Sequence, residues 1–121
     1  MAFENLKNRF KTFTISVITS LRGLPNNIEL KIIKQQLIRS AASVGANYRA
    51  ACRAKSPADF INKLKIVEEE LDESMYWIEL IQALHSNSEN QFEINYAEAN
   101  ELLSITVKSI QTARNKKPIS K

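Results

Sequence analysis

From Phe3 to Leu21 the apolar residues Phe3, Leu6, Phe10, Phe13, Val17 and Leu21 recur every three or four positions. That spacing gathers side chains on one stripe of an α-helix. Gly23 is placed to close this first helix in the left-handed conformation, and Pro25 just beyond blocks its continuation. Asn27 then stands as N-cap of a second helix over about Ile28–Ala54, with a seam of Leu30, Ile33, Leu37, Ala41, Val44, Tyr48 and Ala51. At Ser56 a hydroxyl cap, Pro57 at the first helical position and Asp59 three residues after the serine announce a third helix. Its inner stripe is Phe60, Leu64, Val67, Leu71, Ser74, Ile78 and Ile81, and it runs to about His85, a rod of roughly 29 residues and about 44 Å.

A polar loop, Ser86-Asn87-Ser88-Glu89-Asn90, separates it from a fourth helix marked by Ala99, Leu102, Leu103, Thr106, Ile110 and Ala113 and ended by Asn115-Lys116-Lys117-Pro118. Four helices with short connections pack most simply as antiparallel neighbours. The expected fold is therefore all-α, an antiparallel up-down-up-down four-helix bundle. It forms a single domain over residues 1–115, with a frayed basic tail over 116–121.

Composition agrees with this. The 121 residues hold two glycines and three prolines, 44% are hydrophobic and 25% charged, which suits one helical globular domain. The lone Cys52 cannot close an internal disulfide and fits a reducing compartment. No apolar run reaches the roughly 18 residues of a membrane span, and the opening MAFENLKNRF lacks a signal-peptide core. A cytoplasmic protein without a membrane partner is expected.

Charge is distributed unevenly. Residues 1–55 carry ten Lys/Arg against two acids, a net +8, whereas residues 56–121 carry seven against eleven, a net −4. Such halves either attract an anionic polymer or hold subunits together. On the second helix Lys31, Arg39, Arg49 and Arg53 fall opposite the seam, interleaved with Ala42 and Ala46, which makes Arg39, Arg49, Arg53 and Lys55 candidate phosphate contacts. The plain alternative is a solvated face, or one that pairs with another subunit. No aromatic residue interrupts this stripe to stack bases.

The third helix offers the counterpart. Glu69, Asp72 and Glu73 lie away from its seam, and Ile66, Trp77, Leu80 and Leu84 form a second apolar strip on its flank. Ile66, Glu69, Asp72, Glu73, Trp77 and Leu80 are thus candidate subunit-interface residues, although Trp77 also suits a partly exposed core position. Ser40, Ser43 and Asn47 form a polar strip on the second helix. Its hydrogen-bond partners are a neighbouring helix, Gln36, water or its own backbone.

The acidic run Glu68-Glu69-Glu70-Leu71-Asp72-Glu73 lacks the histidines that carboxylate-bridged metal pairs require, since His85 is the one histidine. Gly23 and Gly45 build no nucleotide loop, and no catalytic triad can be drawn without His85. No metal, cofactor or enzymatic activity is expected.

The run Arg39-Ser40-Ala41-Ala42-Ser43-Val44-Gly45-Ala46-Asn47, followed by Arg53-Ala54-Lys55-Ser56 and Asp59-Phe60, resembles the signature of the four-helix bundle proteins encoded in bacterial 23S rRNA intervening sequences. The resemblance extends from about Leu6 to Ile110 and is densest from Arg39 to Leu80. Many members continue after the asparagine with Ile-Ala-Glu-Gly. This chain has Tyr48-Arg49-Ala50-Ala51, similar to a branch with an Asn-Tyr-Arg motif, so no role of that glutamate transfers to Ala50. A related branch, the accessory protein of diversity-generating retroelements, is similar in fold, forms a pentameric ring and binds nucleic acid and a reverse transcriptase. The resemblance implies the bundle and a homo-oligomer, a pentamer, with RNA or DNA as a partner. A protein-interaction scaffold whose charged faces serve only ring assembly is the alternative.

Overall fold

The computed structural model describes residues 2–85 and 90–116, with side chains from residue 5 onward. Four α-helices follow in order: α1 (Ala2–Leu21), α2 (Ile28–Cys52), α3 (Pro57–Leu84) and α4 (Asn90–Asn115). Each packs against its chain neighbour, and α1 closes the ring on α4. The pairings run antiparallel: Phe10 stacks on Tyr48 while Thr14 bonds the Ala41 carbonyl, and Arg9 reaches Glu98 while Ser20 reaches Asn95. This is the expected all-α four-helix bundle. The side chain of Phe3, the loop over residues 86–89 and the tail from residue 117 lie outside what is described.

The seams set the core. All seven predicted seam residues of α2 are buried, as are Phe10, Phe13, Val17 and Leu21 of α1. On α3 the stripe from Leu64 to Ile81 is buried, with Phe60 half-buried at its start. Met75 adds to it.

The caps follow from side-chain chemistry. Asn27 Oδ1 accepts the Leu30 amide at 2.9 Å, and Ser56 Oγ accepts the Asp59 amide at 3.1 Å. Each satisfies one donor that a helix start leaves orphaned. The Asp59 carboxylate reaches back to the Lys55 amide at 3.4 Å, one residue earlier than a standard capping box.

Two expectations are corrected. Gly23 does not close α1 in a left-handed conformation, since no described residue has a positive φ. The chain instead tightens through Arg22, Gly23 and Leu24 amides onto the Thr19, Ser20 and Leu21 carbonyls, and Leu24 folds back into the core. The fourth helix begins at Asn90, so Asn90 is helical and not loop, and Phe92 and Asn95 occupy its inner face. The polar Asn95 interrupts the apolar periodicity there and hides the first two turns.

Candidate nucleic-acid interface

Arg39 and Arg49 meet different neighbours. At about 100° per residue, Arg49 lies about 80° around α2 from Arg39, which turns one toward α1 and the other toward α3. Arg39 Nη2 donates to Glu73 at 2.6 Å and to Glu70 at 3.3 Å. Those hydrogen bonds, that to Glu73 foremost, raise its pKa above the ordinary guanidinium value. Its side chain remains 49% exposed, but two carboxylates of the same chain already meet its charge. Arg49, Arg53 and Lys55 are exposed, and Arg53 caps the end of α2.

Arg49 contributes instead to a groove of about 450 Å³ between α1 and α2. Lys7 and Lys11 line its α1 side, one helical turn apart, and Ala42, Gly45 and Ala46 line its α2 side. Its shape comes from a close approach of the two helices. A Cβ on Gly45 would lie 3.4 Å from Thr14 Oγ1 and 3.7 Å from the Phe10 carbonyl. Thr14 Oγ1 donates across the gap to the Ala41 carbonyl at 2.7 Å. Beneath, the buried Phe10 and Tyr48 rings stack at 4.2 Å with planes 16° apart. Burial, with Cys52 adding to it, pushes the Tyr48 hydroxyl above its ordinary pKa of 10.

Lys7 and Lys11 were not singled out from sequence. The signal the sequence holds is their i,i+4 spacing on the flank of the Phe10–Val17 stripe, which gains meaning only once α2 lies alongside. The neighbouring Arg9 is used differently. It forms a two-pronged bond to Glu98 of α4 at 2.7 and 2.9 Å and also pairs with Glu101.

The acidic side also divides. Glu73 accepts the Trp77 indole N–H at 3.0 Å as well as Arg39, and these two donors hold its carboxyl below the ordinary 4.5. Trp77 and Leu80 pack half-buried against the core. Ile66, Glu69 and Asp72 face outward. Of the polar strip, Ser40 bonds Ser74 of α3, while Asn47 bonds back to the Ser43 carbonyl and hydroxyl. Among the described residues no three His, Cys, Asp or Glu side chains are grouped to hold a metal ion, and no helix is long and apolar enough to cross a membrane.

Residues 5–108 match the family model of the 23S rRNA-intervening sequence protein. The chain belongs to that family. The chain is similar to the crystal structure of a protein with unknown function of the S23 ribosomal protein family from Bacteroides thetaiotaomicron VPI-5482. The two are 32% identical with a TM-score of 0.80, over 92% of this chain and 99% of that one. No curated protein matches the chain. The family relationship therefore fixes the bundle and assigns no reaction.

Proposed function

We propose that this protein is a non-enzymatic, homo-oligomeric bundle that binds RNA or DNA through the basic face where α1 meets α2. The observation that carries the reading is the groove with Lys11 on one wall and Arg49 on the other, whose described lining residues include no carboxylate. Cations held on two rigid helices attract phosphates and release their counterions, so affinity falls steeply with salt. Arg53 and Lys55 extend the positive surface toward the α2–α3 turn, and Arg39 contributes only after partial release from Glu70 and Glu73. A pentamer, the assembly implied by the sequence resemblance, would repeat this face around a ring.

A second reading, a protein-interaction scaffold, draws on the outward Ile66, Glu69 and Asp72 of α3. There, a second copy's Arg49 and Arg53 would meet carboxylates across a subunit boundary. The double variant Arg49→Ala/Arg53→Ala separates the two. Loss of nucleic-acid retention with the light-scattering mass unchanged supports the first, and dissociation of the assembly supports the second.

A further inference from the structure

We infer that the groove between α1 and α2 receives one single strand of nucleic acid, held by its phosphates and not by its bases, with Ala42, Gly45 and Ala46 as the floor that admits it. The inference rests on the nucleic-acid reading above and specifies the form of the ligand and its path.

Sign and symmetry of charge come first. Lys11 supplies a cation from one wall and Arg49 from the other, so an anionic chain between them is met from both sides. A second groove, between α1 and α4, is lined by Glu98 and Glu101, whose charges Arg9 meets, and its described lining offers the ligand no cation.

Width selects a single strand. Helices in direct contact have axes about 8–10 Å apart, which leaves a furrow one chain wide. A duplex, whose major groove alone spans about 12 Å, can rest on the rims but cannot enter. The volume of about 450 Å³ falls within the range of clefts that enclose small ligands, about 300–1,000 Å³, and so suits a short stretch of sugar-phosphate.

Depth depends on small side chains. Ala42 and Ala46 are exposed and Gly45 is half-exposed between them, so nothing on α2 fills the space. Bases find no platform. Phe10 and Tyr48, the nearest core aromatic pair, are buried and stacked on each other, and a contact made to phosphates alone carries no sequence information.

The test fills the groove without changing charge. Ala46→Leu and the double variant Ala42→Leu/Ala46→Leu alter exposed helix positions that leucine suits, and circular dichroism with light scattering verifies fold and assembly. Single-stranded oligo-U, single-stranded oligo-A and a blunt duplex of equal length are titrated against wild type, the leucine variants and Arg49→Ala. We expect oligo-U and oligo-A to bind alike, the duplex to bind more weakly, and the leucine variants to lose at least about tenfold in single-strand affinity. Leucine variants that bind like wild type while Arg49→Ala fails would overturn the groove path and leave the nucleic-acid reading standing. Tighter duplex binding would also overturn it. Absence of binding to every probe by wild type would remove both.

Discussion

Ser40 of α2 and Ser74 of α3 meet hydroxyl to hydroxyl at 2.7 Å, and both side chains are fully buried. Ser40 also donates to the Leu37 carbonyl of its own helix at 3.2 Å, whereas the hydroxyl of Ser40 is the partner shown for Ser74. Removing the two is therefore unequal. Ser40→Ala leaves the Ser74 hydroxyl buried without that partner and costs about 1–3 kcal/mol. Ser74→Ala leaves Ser40 bonded to Leu37 and costs about 0.5–1.5 kcal/mol. The double variant costs less than the sum, because no hydroxyl is then stranded. Urea unfolding of the four proteins checks the order.

The Glu73 carboxyl predicts the acid limb of stability. The Trp77 indole and then the Arg39 guanidinium hold its pKa below 4.5, and Lys63 with the Lys55 amide does the same for Asp59 below 3.8. A depressed carboxyl binds fewer protons in the folded state than in the unfolded one. Its stabilisation is present above the unfolded value and is lost as pH falls through the folded value. The melting temperature should be level down to about pH 5 and fall below it. Trp77→Phe removes one donor and should flatten that decline. An unchanged acid slope in Trp77→Phe, followed by circular dichroism, would contradict the assignment.

Much of the bundle was legible because its inner positions are apolar at helical spacing. Leu37, Val44, Leu64 and Leu71 could be placed in the core from periodicity alone, and Asn27 and Ser56 as caps from their oxygens. Periodicity is blind to polar residues that pair inside, which is why Asn95 concealed the start of α4. It is equally blind to which neighbour covers a helix flank. Arg39 and Arg49 read as one stripe on α2, yet α3 supplies carboxylates to the first and α1 supplies lysines beside the second. Trp77 and Leu80 read as a strip that the core need not cover completely, and the packing of α3 leaves them half-buried. The groove belongs to two helices, and no single-helix pattern contains it.

Asn95 should control the α1–α4 seam, the thinnest of the four. Buried within it, Asn95 accepts from Ser16 Oγ and donates to Ser20 Oγ, both at 2.8 Å. Asn95→Ala removes both bonds and opens a small void. We expect a loss of about 1–3 kcal/mol. Amide exchange should quicken in α1 and α4 ahead of α2 and α3. Uniform quickening across all four helices would show that the seam does not open separately.

Lys11 and Arg49 act as phosphate contacts in the proposed complex, so removing them must change the salt dependence of single-strand binding. For a single strand, each phosphate neutralised adds about 0.7 to the slope of log affinity against log salt. Relative to wild type, the double variant Lys11→Ala/Arg49→Ala should bind more weakly, with a slope shallower by about 1.4 for each protomer engaged. A variant whose affinity and slope both equal those of wild type would show that the strand, if bound at all, is held elsewhere.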